Sequence, residues 1–149
     1  MSTESTSVIF SGTFERSLDV KKRVTVPSRW LSGVEQEFHC VPDAAKHYLL
    51  ILPPQEFARV EDRLIEQGLA LRERQKFLRG FYGSSHVVAT DKQGRMLLPE
   101  PLCQVAGLSE SVLLIGTGRR FEVWNPARWA AENPADTEDY LRIAGDVGL

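Results

Sequence analysis

The stretch Asp19-Val20-Lys21-Lys22-Arg23-Val24-Thr25-Val26-Pro27 returns further along the chain as Asp91-Lys92-Gln93-Gly94-Arg95-Met96-Leu97-Leu98-Pro99, so one Asp-x-x-x-Arg-x-x-x-Pro frame occurs twice, 72 residues apart. The same offset pairs Leu49-Leu50-Ile51-Leu52 with Phe121-Glu122-Val123-Trp124, Pro54 with Pro126 and Phe57 with Trp129. Several matches in one register imply a duplicated unit. Two such units are expected to pack about a pseudo-two-fold axis, as two protomers of a homodimer do. Each unit holds roughly 45 residues, a size at which an isolated fold is marginal, so the two should bury their apolar faces against each other.

Around the frame, the run after each Arg is β-like, Val24-Thr25-Val26 or Met96-Leu97-Leu98, and is halted by Pro27 or Pro99. Proline fits the first turn of a helix, where its missing N–H has no helical partner to lose. Short helices are therefore expected near Ser28–Leu31 and Glu100–Ala106, the second ended by Gly107. Strands are predicted to open at Val8–Phe10 and to continue at Phe38–Val41, Tyr48–Leu52, Val112–Ile115 and Phe121–Trp124. Hairpin loops fall near Asp43–His47 and Gly116–Arg120, and residues 1–7, rich in Ser and Thr, are expected to be disordered. Between the units Phe57, Val60, Leu64 and Leu71 keep a helical spacing broken by Gly68, and Phe77, Leu78 and Phe81 follow before Gly83. This predicts an αα-hairpin packed on the β-rich core. Its outer cations, Arg59, Arg63, Arg72, Arg74, Lys76 and Arg79, are expected to be balanced by Glu56, Glu61, Asp62, Glu66 and Glu73.

The formal net charge is −2, which by itself argues against a nucleic-acid partner. The distribution reverses that argument. Residues 130–149 carry Glu132, Asp136, Glu138, Asp139 and Asp146 against Arg142 alone, a local charge of −4, whereas Glu15 to Arg29 sums to +3 through Arg16, Lys21, Lys22, Arg23 and Arg29. A basic site and an acidic C-terminal tail coexist in one chain. Cys40 and Cys103, without a CxxC, fit a reducing compartment. No apolar run approaches the ~18 residues of a spanning helix, and the N-terminal stretch lacks the pattern of a leader. The expectation is a cytoplasmic protein with no membrane association.

Within each frame, Asp at the first position of a β-turn can cap backbone N–H groups, and Gly94 at the fourth accepts a positive φ. Lys22 stands where Gly94 stands, which adds charge and predicts a more strained or differently shaped first loop. A hairpin alone would explain the Asp and Gly. It does not explain the repeated Arg on the exit strand, whereas a site that forks onto phosphate or onto guanine O6 and N7 does. Two carboxylates across a pseudo-two-fold axis also suggest a protease dyad, but the cations beside them would hold both ionised, and the small hydroxyl residue and Gly that such a dyad needs are missing. His39, His47 and His86 with Cys40 and Cys103 match no metal-ligand spacing, and His39 and Cys40 on one strand point to opposite faces. Ser84-Ser85-His86 is too sparse for a nucleophile and base, and Gly116-Thr117-Gly118 is a hairpin glycine pair. No catalytic residue, metal, cofactor or small-molecule substrate is expected.

Duplicate Asp-x-x-x-Arg motifs, each running into a β segment and Pro and separated by a helical hairpin, resemble the MraZ family of bacterial transcriptional regulators, related to the AbrB/MazE-like swapped-hairpin DNA-binding fold. The resemblance runs from about Gly12 to Trp129. It implies an α+β fold: a β-rich swapped-hairpin, double-split barrel of two tandem pseudo-two-fold repeats, residues 13–56 and 85–128, with an inserted αα-hairpin over 57–84 and an acidic tail over 129–149. It further implies a ring-shaped homo-oligomer associated with the nucleoid, binding short direct repeats in promoter DNA upstream of the division and cell-wall gene cluster, as a repressor that also acts on its own promoter. By position, Arg23, Lys21, Lys22, Arg16, Arg95 and Lys92 become the DNA-contacting candidates, with Asp19, Asp91, Gly94, Pro27 and Pro99 shaping the motifs. Arg23 is expected to read a base edge while Lys21, Lys22 and Arg16 neutralise phosphates, and the second motif to serve mainly the core and the subunit contact. Two other readings stay open: an AbrB/MazE-type antitoxin, or a ligand-binding β-barrel without DNA affinity.

Overall fold

The computed structural model describes residues 8–45 and 47–149, so the expectation for residues 1–7 lies outside the described residues. Strands β1 (Thr13–Ser17), β2 (Arg23–Thr25), β3 (Glu37–Pro42), β4 (Tyr48–Leu52), β5 (His86–Ala89), β6 (Arg95–Leu97), β7 (Ser111–Gly116) and β8 (Phe121–Trp124) form two antiparallel sheets. Five helices accompany them among the described residues: α1 (Pro54–Ala58), α2 (Val60–Glu66), α3 (Leu71–Gly83), α4 (Glu100–Ala106) and α5 (Pro126–Asp146), with a single 3-10 turn at Ser28–Trp30. The fold is α+β.

The larger sheet runs β1-β7-β8-β4-β3-β5 and the smaller pairs β2 with β6. Exchanging the repeats turns the six-strand order into its own reverse. The central register shows the same symmetry: Leu49 faces Val123 while Ile51 faces Phe121, pairs that exchange under the 72-residue shift, and Leu50 faces its own equivalent, Glu122. In the small sheet Val24 faces its equivalent Met96. The pseudo-two-fold axis thus passes through Leu50/Glu122 and Val24/Met96. Each repeat lends a strand to the other, β1 pairing with β7 and β5 with β3, so the hairpins are swapped. The large sheet is not closed; β1 and β5 remain as edges.

β3 and β7 depart from the common offset. His39 faces Leu52 where Leu113 faces Trp124, so β7 lies 74 residues after β3 although β8 lies 72 after β4. The two residues inserted before β7 are removed again in the hairpin that follows. An even shift keeps every side chain on its own face, as period-two alternation requires; Phe38 and Cys40 are buried, and so are Val112 and Leu114.

The first strand is a correction. Val8–Phe10 does not open it: Phe10 makes only an isolated bridge to Gly118, and β1 begins at Thr13. The Phe10 ring is drawn into the core instead, 5.7 Å from Trp30, 6.2 Å from Phe38 and 5.4 Å from Phe121. Its backbone crosses so close to Gly116 that a Cβ there would lie 2.4 Å from the Phe10 carbonyl carbon. The linker is also more than a helical pair. Pro54 opens α1 and Pro126 opens α5, both at the first turn, so the duplication extends into the helix after β4 and β8. In the first repeat that helix breaks at Arg59 before α2 and α3. The acidic stretch is likewise helical: α5 is capped by the Asn125 carboxamide, which accepts from Ala127 N at 2.7 Å, and it carries Pro134 within it. An interior proline weakens a helix by about 3 kcal/mol. The hairpin loops stand where expected, between Pro42 and Tyr48 and between Gly116 and Phe121.

Candidate nucleic-acid interface

The two frames fold alike atom for atom in their polar contacts. In the first, Lys22 N donates to Asp19 O at 3.0 Å to close the turn, and Asp19 N donates to Arg23 O at 3.1 Å. The Asp19 carboxylate accepts from Lys21 N and Arg23 N, both at 2.9 Å, on one oxygen and from Arg23 Nε at 2.6 Å on the other. In the second, Gly94 N reaches Asp91 O at 3.0 Å, Gln93 N and Arg95 N reach one Asp91 oxygen at 2.9 Å, and Arg95 Nε reaches the other at 2.9 Å. Each aspartate therefore ties its loop to the arginine side chain that leaves it. The Asp19 carboxyl is held below its usual 3.8 first of all by the Arg23 N–H, against partial desolvation, and Asp91 likewise by the Arg95 N–H.

Lys22 and Gly94 occupy the same left-handed position, with φ of 66° and 79°. The first loop is not differently shaped. Its geometry is imposed by the ladder: Lys22 O accepts from Leu98 N and Gly94 O from Val26 N, both at 2.9 Å. A side chain in this region costs roughly 1–2 kcal/mol, so the predicted strain resides at Lys22 while the shape is conserved.

The pairing of β2 with β6 then decides where the arginines go. Directly opposed residues of an antiparallel pair share a face, as do residues two apart along a strand. Arg23 opposes Leu97 and Thr25 opposes Arg95, so these four share one face, while Val24 and Met96 turn inward and are buried. Arg23 and Arg95 are about equally accessible, their side chains 30% and 34% exposed. With Nε engaged by aspartate, the terminal nitrogens of each guanidinium have no protein acceptor among the described residues. Both motifs thus contribute to one outward surface, and the second is not confined to the core. Lys21 and Lys92 stand exposed on the loop tips beside it. Pro27 and Pro99 end the ribbon strands and begin the 3-10 turn and α4.

Arg16 has a different setting. Its Nε donates to Thr25 O at 3.1 Å and its Nη1 to Glu15 O at 3.0 Å, and the guanidinium lies over Phe14 at 5.3 Å. It fastens β1 to the ribbon and lines, with Thr25, Ser28, Lys92 and Gln93, a concavity of about 690 Å³ beside the second loop. Sequence proximity had grouped it with Lys21 and Lys22. The sequence reading missed Thr25 and Leu97, whose shared face with the arginines follows only from the β2–β6 register; the exposed Leu97 between two arginines is the one signal it left.

Among the described residues no group of three His, Cys, Asp or Glu is placed to hold a metal ion. Cys40 and Cys103 are buried, and burial pushes their thiols up to about 12 and about 11, so thiolate is scarce at neutral pH. His39 stacks on Phe57 at 3.9 Å on the side opposite Cys40. No helix among the described residues is long and apolar enough to cross a membrane.

Fold and site together define a tandem swapped-hairpin protein presenting a two-stranded basic ribbon. The family described as "MraZ protein, putative antitoxin-like" matches residues 9–80 and again 81–137. The chain belongs to the MraZ family. Relatives named "Transcriptional regulator MraZ" include that of Acetivibrio thermocellus, 31% identical over 141 residues that cover 95% of this chain and 98% of the relative. That of Shewanella amazonensis is 32% identical over 128 residues, 83% and 84% of the two chains, and that of Clostridium tetani 29% identical over 136 residues, 91% and 94%. The role these names describe is regulatory and not enzymatic.

Proposed function

We propose that this protein is a sequence-specific DNA-binding transcriptional regulator whose reading element is the β2–β6 ribbon. The observation that carries the reading is the pair of aspartate-clamped arginines, Arg23 and Arg95, on one solvent-facing side of a two-stranded antiparallel ribbon. The major groove admits such a ribbon, and a guanidinium with free terminal N–H groups matches guanine O6 and N7. Clamping the side chain in advance lowers the entropy lost on binding. Lys21, Lys22 and Lys92 neutralise phosphates on either side, and Arg16 holds the ribbon on its sheet while adding positive potential.

The family resemblance supports the finer reading: a repressor of the division and cell-wall gene cluster and of its own promoter, acting at the nucleoid as a ring of copies on short direct repeats. Direct repeats suit a head-to-tail assembly, and neighbouring copies convert later contacts into intramolecular ones. A mobility-shift titration on the DNA upstream of the chain's own gene tests the proposal. Binding should weaken steeply as salt rises, through counterion release, and Arg23→Ala should relax sequence preference. Absence of a shift at low salt with correctly folded protein would overturn it.

A further inference from the structure

Two helices of this chain are left with faces that nothing in the described structure covers. From Ala130 onward every residue but Glu132 and Ala144 is exposed, although α5 continues to Asp146. Among the described residues the helix is held near its start, by Trp129 against Trp124 of β8 at 5.1 Å, by Arg128 Nη1 on Val105 O of α4 at 3.3 Å and by Glu132 on His47 Nδ1 of the β3–β4 loop at 2.7 Å. A helical segment of this length, interrupted by Pro134, is marginal in water unless an amphipathic face is packed. It has such a face. Tyr140, Ile143 and Val147 recur at three and four residues, and Asp136, Asp139 and Asp146 run beside them, the last two also flanking Arg142 at 3.4 and 4.0 Å.

α3 carries the complement. Arg72, Lys76 and Arg79 recur at four and three residues along its exposed side, and none has an acidic partner among the described residues. The balance expected from neighbouring acids is not made. Of the six cations in this region only Arg63 forms an ion pair, with Glu56, while Arg74 Nη1 is spent on the Leu69 carbonyl at 2.9 Å. Beside the stripe lies a shallow groove lined by Gln75, Leu78, Arg79, Tyr82 and Gly83, and Leu71 and Phe77 add exposed apolar surface nearby. α3 carries a net charge of +3 and residues 130–149 a net −4.

We infer that α5 of one copy docks along the basic stripe and groove of α3 in a neighbouring copy. Ile143 and Tyr140 enter the groove beside Leu78 and Tyr82, and Asp136, Asp139 and Asp146 run opposite Arg72, Lys76 and Arg79. Donor and acceptor faces belong to different elements, so the contact is head-to-tail and leaves each copy with one face of each kind to offer onward. This deepens the oligomer reading under Proposed function and rests on it. It also assigns the acidic C-terminal segment to assembly.

The test is light scattering coupled to size exclusion on the full chain, with circular dichroism to confirm folding. Reversing the stripe (Arg72→Glu, Lys76→Glu, Arg79→Glu) or the acidic face (Asp136→Lys, Asp139→Lys, Asp146→Lys) should each reduce the assembly to smaller species. Combining both sets in one chain should restore it, which a merely destabilising effect would not do. An oligomeric wild type whose mass neither set changes overturns this contact alone, whereas a monomeric wild type overturns the oligomer reading as well. Should reversal of the stripe leave the mass unchanged but lower DNA affinity, α3 contacts DNA and the inference fails.

Discussion

The two Asp-x-x-x-Arg loops share every backbone and side-chain hydrogen bond of the motif, yet differ in what they carry. The first places Val20, Lys21 and Lys22 at its tip, the second Lys92, Gln93 and Gly94. The first tolerates a lysine at φ 66° and the second a glycine at φ 79°. Identical geometry from unlike residues shows that the loop shape belongs to the ladder and the aspartate, so the tip residues are free to differ in charge. On the ribbon the copies differ again, since Thr25 is the equivalent of Leu97 and each opposes the other's arginine. The surface is two-fold symmetric in its arginines and asymmetric in the residue beside each.

The sharpest way to break this comparison is to remove each arginine in turn. Arg23→Ala and Arg95→Ala should each cost about 1–3 kcal/mol of operator binding and relax preference at one position. Competition titrations against base-substituted operators check it; if Arg95→Ala has no effect, the ribbon is read from one side only. Next in size is the exchange of the tip residues. Gly94→Lys should destabilise by roughly 1–2 kcal/mol, because the left-handed backbone is retained while the nearest atoms to an added Cβ, at 3.6 Å, leave room for it. Lys22→Gly should relieve the same strain and lower the salt slope of DNA binding by about one. Urea melts and salt titrations measure the two effects.

Smaller is the exchange across the ribbon. Leu97→Thr and Thr25→Leu, each at an exposed position opposite an unchanged arginine, should shift base preference in opposite halves of the operator by less than either arginine variant, as read in the same competition titrations. The smallest effect is on acid stability. Both aspartates have folded pKa values below 3.8, so their contribution is fully present above that value and is lost as pH falls through the depressed pKa. Carboxyl titration by NMR should show Asp19 and Asp91 moving together below 3.8, and Asp19→Asn should remove only the first.

Much of the fold was legible in the chain. The doubled frame and the apolar runs at Phe38, Tyr48, Val112 and Phe121 are local signals, and each became the element it announced; Pro54 and Pro126, matched only as part of the repeat, open α1 and α5. β1 and β5 were harder. Thr13–Ser17 and His86–Ala89 each lie at a sheet edge, where only one neighbour constrains the pattern. The continuation of α5 past Trp129 was masked by acidic residues and Pro134, which together look like a solvated tail. At the site, Arg23 and Arg95 were found from repetition alone, whereas the bond of Arg16 to Thr25 O was not, because it depends on how β1 packs beside β2 in space.

By itself the sequence determined that two like units exist, that each sets an aspartate four residues before an arginine in a turn, and that the charge divides into a basic motif and an acidic end. These follow from contacts within a few residues, which turn chemistry and side-chain reach settle locally. Only the tertiary structure decided that β1 and β5 cross to the other repeat and that β2 and β6 pair in a register placing both arginines, Thr25 and Leu97 on one face. That decision rests on burying Val24 and Met96 at the shared axis, a gain neither repeat can make without the other.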